Sequence, residues 1–287
     1  MKYTERIELY KKLEEKRGNP LIVYATSQRA GAQGGMGSDV IDEFIDQVEK
    51  VKNTEKKSVD LLIESTGGDG LTSWRIISLL RQRFEKVNVL VPHSAFSAAT
   101  LLALGADEII MGKYGSLGPI DPQITVKQKD GSIQQFGYED ITAFISFAKE
   151  EAGLTEQMYS KHAFEKLTDT VDPAVIGFAK RSSSLSTSIG ERLLQQHMED
   201  TTQAKNIAEK LNKSFFNHGH ALTRKEAKEI GLNIVEADSE TEKTMWNIHK
   251  SFEEEINTRV PFNVVSEFLK DPGATEYLKS PAPVVLP

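Results

Sequence analysis

The feature that most constrains this chain is a succession of short apolar runs that end at glycine, proline or polar turns. The runs cover residues 21–24, 59–65, 87–91 and 108–111. Runs of this length are typical of buried strands, and segments with helical spacing of apolar residues follow the first three. Short apolar strands alternating with helices predict parallel βαβ units with both sheet faces covered. The chain is therefore predicted to have an α/β fold.

The second half of the chain is predicted to be mostly helical. A serine-rich patch at residues 181–188 is expected to be a flexible loop, and the tail from residue 260 to be extended and packed on a neighbour or frayed. Helices are expected at residues 141–152, 187–215, 224–230 and 241–258, with a small strand at 233–235.

Charge and composition exclude several functions. The net charge is −7, so no basic surface for nucleic acid or an anionic membrane is expected. The chain has no cysteine, which rules out disulfides, thiolate nucleophiles and cysteine-based metal sites. The N-terminus alternates charged and apolar residues, and the longest weakly polar run, residues 95–106, is too short to cross a bilayer. We expect a soluble, cytoplasmic protein without a membrane anchor.

Two motifs contain residue types that bind phosphates or metals. The glycine-rich loop 31–37 lacks both the dinucleotide-binding spacing and the ending of a P-loop, so a mobile surface loop is the better interpretation. His218-Gly219-His220 has no nearby acidic ligand, which favours a turn over a metal site. We expect no metal, no redox cofactor and no cofactor of another kind.

The informative region lies between residues 64 and 123. Gly67 and Gly68 follow a strand, where paired glycines free backbone N–H groups to point into a crevice, as in an oxyanion hole. One βα unit later, Ser97 begins a helix walled by alanines, whose N-terminus favours developing negative charge. The alternative is that Ser97 only caps the helix and the glycines only form a tight turn. The two features in this order favour a site at the sheet edge.

Three sequence blocks carry a resemblance to a known superfamily. They read E-S-T-G-G-D-G at 64–70, V-P-H-S-A-F-S-A-A-T at 91–100 and G-S-L-G-P-I-D-P-Q at 115–123. The succession resembles the Clp-peptidase/crotonase superfamily, and within it the serine dehydrogenase proteinase family, which is related to signal peptide peptidase A. The resemblance is dense over residues 57–123 and extends more loosely to Val235.

The resemblance implies stacked parallel βαβ units in a spiral, with a helical C-terminal region. We accordingly expect an N-terminal helical arm at residues 1–18, a Clp/crotonase-like serine hydrolase domain at 19–238, and a C-terminal helix with an extended tail at 239–287. Relatives with this fold form trimers, hexamers or stacked rings, so a homo-oligomer is expected. An unfoldase partner follows by analogy alone.

The resemblance also implies roles for individual residues. Ser97 corresponds to the nucleophile, and the N–H groups of Gly68 and Ala98 correspond to the oxyanion hole. Ser94 is a rival nucleophile, but it lies outside the A-x-S-A pattern of the family. The implied chemistry is acyl-enzyme formation on the Ser97 hydroxyl.

The general base is where this sequence departs from better-known relatives. The caseinolytic protease has its histidine in the loop that matches residues 115–123, where this chain has Asp121. The relative's aspartate precedes the closing element of the domain, where this chain has His218 and His220. Signal peptide peptidases use a lysine instead, but residues 138–141 contain none. Either the histidine and the aspartate are exchanged, or the chain is a poor or inactive hydrolase.

We hypothesise a Ser97–His218–Asp121 triad, with His220 as the substitute base. An aspartate alone, with a pKa near ~4, is a weak base for a hydroxyl, whereas a histidine titrates near neutrality. The alternative role for Asp121 is to order its loop between two prolines by accepting backbone hydrogen bonds.

The leading hypothesis is a soluble serine hydrolase, peptidase-like, that acts on a peptide or protein substrate. The alternative is a weak or inactive oligomeric scaffold or binding protein that keeps the fold. A crotonase-type enzyme acting on acyl-CoA is disfavoured, because crotonases need no serine at this helix start and no basic cluster for the CoA phosphates stands out. A covalent adduct on Ser97 would separate the first hypothesis from the other two.

Overall fold

The structure is a computed structural model, and it describes residues 3–32, 34–51, 57–127, 131–215 and 217–270. The strands are β1 Leu21–Ala25, β2 Ser58–Glu64, β3 Lys86–Val91, β4 Ser94–Ala95, β5 Glu108–Met111, β6 Ser116–Leu117, β7 Gln123–Lys127, β8 Ile133–Gly137 and β9 Ile234–Glu236. A five-stranded sheet has the order β1-β2-β3-β5-β9, and its pairs are all parallel. The predicted α/β fold with parallel βαβ units is confirmed.

Helices cover both faces of this sheet. They are α1 Tyr3–Arg17, α2 Ile41–Lys50, α3 Gly70–Arg83, α4 Ala98–Leu104, α5 Tyr138–Ser146, α6 Gln157–Thr170, α7 Pro173–Leu194, α8 Thr201–Lys213, α9 Arg224–Ile230, α10 Ser239–Ile256 and α11 Val264–Phe268. A π-helical segment, Phe147–Glu151, continues α5. Within the described ranges, no helix combines the length and apolar character that crossing a bilayer requires.

Adjacent rows of the sheet face opposite apolar cores. The row facing the larger core consists of Ile22, Leu61, Val89, Ile109 and Ile234. The next row, facing the smaller core under α1 and α10, consists of Val23, Leu62, Leu90, Ile110 and Val235. Because both faces of a parallel sheet are covered, its strands need apolar side chains in both rows. This requirement explains why the strands are visible in the sequence as uninterrupted apolar runs.

The N-terminal helix α1 is tied to the sheet and to α10. Arg17 Nε donates to the buried Asp60 carboxylate of β2 at 2.5 Å. Asp60 also accepts from Asn88 Nδ2 at 2.8 Å, which connects β2 to β3. Arg6 Nη1 donates to Ser251 Oγ of α10 at 2.9 Å. The predicted N-terminal helix is therefore part of the packed body over most of its length.

The serine-rich patch 181–188 is helical, so the prediction of a flexible loop there is wrong. The patch lies inside α7. Ser183 Oγ donates to Asn212 Oδ1 at 2.8 Å, and Ser186 Oγ donates to Ile120 O at 2.5 Å. Tertiary packing therefore overrides the low helix propensity of serine.

The helix predicted at 187–215 is also wrong in detail, because a turn divides this segment into α7 and α8. The second helix begins after the N-cap Asp200, whose side chain accepts two backbone hydrogen bonds. The first residues of the tail pack against the same chain, since Phe262 N donates to Ala30 O at 2.7 Å. Residues 271–287 of the predicted extended tail lie outside the described residues.

Candidate active site

The carboxyl ends of β2 and β3 are joined by main-chain hydrogen bonds. Ser65 N donates to Ser94 O at 3.0 Å, and Phe96 N donates to Ser65 O at 3.0 Å. These two bonds hold the glycine turn after β2 beside the start of α4, where Ser97 lies. The two loops singled out in the sequence are therefore neighbours.

Ser97 has a backbone conformation that residues with a side chain rarely adopt. Its φ is 52° and its ψ is −117°. Such a conformation costs roughly 1–3 kcal/mol and persists where the surroundings enforce it, often at functional sites. A strained turn from strand to helix also exposes the nucleophile of α/β-hydrolases. Ser97 occupies the N-cap position of α4, but its side chain makes no capping hydrogen bond, so capping does not account for the serine.

Gly67 and Gly68 form the turn beside Ser97, with φ values of +107° and +147°. Glycine alone adopts such values at little cost. A Cβ at Gly67 would lie 2.7 Å from Ser97 Cβ, and one at Gly68 would lie 2.3 Å from Met36 O. Met36 holds the turn from the other side, because its N donates to Gly67 O at 2.7 Å and its O accepts from Asp69 N at 2.9 Å. The turn thus requires glycine for both conformation and space.

Two backbone N–H groups beside Ser97 are left for a ligand. Across the described part of the chain, neither Gly68 N–H nor Ala98 N–H donates a hydrogen bond to the protein. Both residues line the same cavity as Ser97. Preorganised backbone donors next to a nucleophile can stabilise the negative charge of a tetrahedral intermediate.

His218, which lines this cavity, forms a pair with Asp121. His218 Nδ1 lies 2.8 Å from Asp121 Oδ1, and the second carboxylate oxygen accepts from Gln123 Nε2 at 2.7 Å. A carboxylate only accepts, so the geometry assigns the proton to Nδ1 of a neutral imidazole and leaves Nε2 as an acceptor. The side chain of His218 is 33% exposed, which leaves the ring accessible from the cavity that it lines.

The cavity has a volume of about 370 Å³, and several apolar side chains line it. Apolar side chains come from α3, α4, the loop after β6, and α7; they are Leu71, Leu101, Ile120, Leu185 and Ile189. Polar groups of Thr66, Gln123 and Ser182 also line it. The site therefore combines a hydroxyl, free amides and a histidine with an apolar recess.

Comparison with known proteins finds a family that resembles part of the chain. Residues 1–140 match the family described as ClpP-like SDH-type serine proteinase. The matched segment contains Ser97, Gly68, Ala98 and Asp121, whereas His218 lies outside it.

Other proteins are similar to this chain over most of its length. Uncharacterized protein MJ1495 of Methanocaldococcus jannaschii is 28% identical over 234 residues, which is 80% of this chain and 71% of that protein. Uncharacterized protein MJ0137 of the same organism is 26% identical over 251 residues, covering 85% and 78%.

Two solved structures are also similar. A mutant of the membrane-bound stomatin-specific protease 1510-N aligns with a TM-score of 0.46 and 18% identity over 78% of this chain and 84% of that one. ClpP1 from Listeria monocytogenes aligns with a TM-score of 0.42 and 15% identity over 81% and 99%.

His220, the substitute base, lies in a different environment from that of His218. Its Nε2 lies 3.1 Å from Glu226 Oε1, and its ring stacks on Phe215 with centroids 4.8 Å apart. His220 does not line the cavity. Because His218 and His220 pair with separate carboxylates, they do not converge on one point. Among the described residues, no group of three or more histidine, aspartate or glutamate side chains could hold a metal ion.

Ser94, the rival nucleophile, lies behind the site. It is 3% exposed, its hydroxyl donates to Glu64 Oε1 at 3.0 Å, and it accepts from Gln28 Nε2 at 2.7 Å. Ser94 does not line the cavity that Ser97 and His218 line. A hydroxyl so buried and so bonded is a structural group.

Several site residues were missed by the sequence reasoning. Met36 belongs to the loop 31–37, which was predicted to be a mobile surface loop; Met36 is 3% exposed and braces the glycine turn. The signal was an apolar residue among the glycines. Gln33 of that loop lies outside the described residues. Ile189 was hidden because the patch before it was taken for a loop.

Proposed function

We propose that this chain is a serine peptidase that forms an acyl-enzyme on Ser97. The observation that carries the proposal is the His218–Asp121 pair at 2.8 Å, whose histidine lines the same cavity as Ser97. A serine alone has no base, and a histidine alone has no fixed tautomer; the pair supplies both. The family match supports the same class of reaction.

In the proposed acylation, Ser97 Oγ attacks the carbonyl carbon of the scissile bond. His218 Nε2 takes the hydroxyl proton, and Asp121 stabilises the imidazolium through Nδ1. The carbonyl oxygen becomes negative and accepts hydrogen bonds from the N–H groups of Gly68 and Ala98. The intermediate then collapses, the C–N bond breaks, and the leaving amine takes the proton from His218.

Deacylation repeats these steps with water as the nucleophile. His218 Nε2 takes a proton from the water, the hydroxide oxygen attacks the acyl carbon, and Ser97 leaves with that proton. The apolar side chains that line the cavity favour a substrate with an apolar side chain next to the scissile bond. Burial of such a side chain contributes about 1.5–3 kcal/mol of binding free energy.

The test is labelling with a fluorophosphonate, followed by peptide mass spectrometry. The expected result is one covalent adduct on Ser97, lost in Ser97→Ala and retained in Ser184→Ala, which replaces an exposed serine of α7. An adduct on Ser94 would overturn the assignment of the nucleophile. No adduct on either serine in a folded protein would overturn the hydrolase and leave the scaffold hypothesis.

The predicted homo-oligomer remains part of this proposal. Four phenylalanines are exposed on α5, the π-helical segment, α6 and α7; they are Phe144, Phe147, Phe164 and Phe178. We propose that contacts between copies of this chain cover them, because burial of apolar surface in an interface is favourable. Light scattering on the purified chain is expected to give a mass of at least three copies, and a monomer at micromolar concentration would contradict it.

A further inference from the structure

A buried polar cluster lies behind the candidate active site and takes no part in the proposed chemistry. It contains Glu64 at the end of β2, Ser94 of β4 and His249 of α10, which are 2%, 3% and 3% exposed. An ionisable pair buried to this extent is costly unless its partners are well arranged. Well-packed apolar residues at these positions would often be at least as stable, so stability alone does not account for the cluster.

The contacts of this cluster converge on one carboxylate oxygen. Glu64 Oε1 accepts from Gln28 Nε2 at 2.8 Å and from Ser94 Oγ at 3.0 Å. His249 Nδ1 lies 3.3 Å from the same oxygen. One atom of Glu64 thus connects four segments that are far apart in the sequence.

Three of these segments lead directly to the proposed catalytic groups. Glu64 is followed by Ser65, whose Oγ accepts from Gly67 N at 3.0 Å. Ser94 lies three residues before Ser97. Gln28 begins the loop that carries Met36 to the glycine turn. A shift of Glu64 would move the two proposed oxyanion donors and the hydroxyl relative to each other.

The fourth segment, α10, lies outside the family-matched residues and contributes His249 to the cluster. The ring of His249 packs edge-on against His93 with centroids 4.4 Å apart, and against Trp246 at 4.8 Å. Its Nε2 lies 3.8 Å from Glu253, which is 30% exposed in its side chain. Glu64 is therefore the buried carboxylate, and Glu253 the solvated one, that face His249.

We propose that Glu64 is a positioning residue, whose carboxylate, in contact with Gln28, Ser94 and His249, keeps the Gly67–Gly68 turn in register with Ser97. This inference rests on the proposed function for its catalytic readout. A displacement of about 1 Å at a reacting group can cost about 10²-fold in rate. The effect of Glu64 is thus expected on the rate of acylation and not on recognition of the acyl group.

The first test measures fluorophosphonate labelling of Ser97 at several probe concentrations, which separates the maximal rate, kinact, from the half-saturating concentration, KI. Glu64→Ala is expected to lower kinact about 10²-fold with KI changed less than about twofold. Glu64→Gln keeps the shape and the acceptor oxygen, so its loss is expected to be within about tenfold. Glu253→Gln, which removes the solvated carboxylate beside His249, is the matched control and is expected to label like the wild type.

The second test asks whether His249 acts on the site through Glu64. His249→Gln removes the ring beside the Glu64 carboxylate and is expected to lower kinact by up to about tenfold, as Glu64→Gln does. If both changes act on one contact, the double variant E64Q/H249Q is expected to lose less than the product of the two single losses. A double variant whose loss equals that product would overturn the part that His249 has in the proposal.

Wild-type labelling by folded Glu64→Ala and His249→Gln would overturn the positioning role. If the wild type itself is not labelled at Ser97, the proposed function fails, and hydrogen exchange followed by NMR tests positioning independently. The amides of Gly67 and Phe96 are then expected to exchange at least about tenfold faster in H249Q, while that of Leu90 in β3 is unchanged. Equal exchange at Gly67 and Phe96 would overturn the inference without reference to activity.

Discussion

Two of the histidine–carboxylate pairs among the described residues, His218–Asp121 and His249–Glu64, differ in closeness and in access to solvent. His218 and Asp121 are 2.8 Å apart, and their side chains are 33% and 14% exposed. His249 and Glu64 are 3.3 Å apart, and their side chains are 4% and 2% exposed. A proton acceptor must reach its substrate, whereas a buried charge pair can act only on the chain around it. The same residue types thus suit chemistry in one place and support in the other.

The largest effect is expected from replacing the accessible histidine. His218→Gln removes the proposed base and is expected to lower Ser97 labelling about 10²–10⁴-fold, or about 3–5 kcal/mol of activation free energy. His220→Gln is the matched control, because His220 pairs with Glu226 away from the cavity. Equal labelling of the two variants would contradict the proposed role of the His218–Asp121 pair, because it would make that pair no more important than His220–Glu226.

The free energy of unfolding is expected to fall more when His249 is replaced than when His218 is replaced, which is the reverse of the order expected for labelling. His249→Gln replaces a buried ring and is expected to cost about 1–3 kcal/mol, because the buried Glu64 carboxylate loses a polar neighbour. His218→Gln is expected to cost less than about 1 kcal/mol, since its pair is partly solvated. Urea denaturation measures both values. Similar losses in the two variants would show that burial does not separate the pairs.

The glycine turn that connects the two environments gives an intermediate effect. Gly68→Ala places a Cβ against the Met36 backbone at a φ of +147°, and is expected to destabilise the fold by about 1–3 kcal/mol. Gly177→Ala is the control, because nothing lies within 4 Å of its added Cβ inside α7. That substitution is expected to stabilise the chain by about 0.5–1 kcal/mol. Thermal unfolding of both variants checks the contrast.

The smallest effect concerns a histidine whose hydrogen-bond partner is not a carboxylate. Burial lowers the pKa of His197 below its ordinary value of 6.5, and its Nε2–H donates to Leu104 O at 2.9 Å. The unfolded state therefore binds the proton more readily, so stability falls as the pH drops through about 6.5. His197→Gln is expected to lose less stability than the wild type between pH 7.5 and pH 5. An identical pH dependence of the two unfolding free energies would contradict the effect of burial.

The central strands could be predicted because a sheet covered on both faces needs apolar residues throughout. Glu108–Met111 has the bounds read from the sequence. The hairpin of β7 and β8 was not predicted, since its residues are mostly half-buried or exposed and give only a weak alternation. The helix through 181–188 depends on distant partners such as Asn212, which no local pattern reveals.

Much of the candidate site could be anticipated, although the roles of its residues remain predictions. The order of the glycine turn and Ser97 along the βα units indicated that both lie at one edge of the sheet. The loops that correspond to those of known relatives suggested that His218 lies beside Asp121. The positive φ of Ser97 could not be read, because surrounding structure and not local preference enforces it. Glu64 looked like the polar end of a strand, and only the fold brings α10 over it.

The separation of 97 residues between Asp121 and His218 has a consequence for the chain during its synthesis. A nascent chain that has emerged only as far as α7 already carries the serine, the glycine turn and the aspartate. It lacks His218, the imidazole proposed to take the hydroxyl proton, until that residue leaves the ribosome. The order of residues would thus delay the proposed activity until most of the polypeptide has been made.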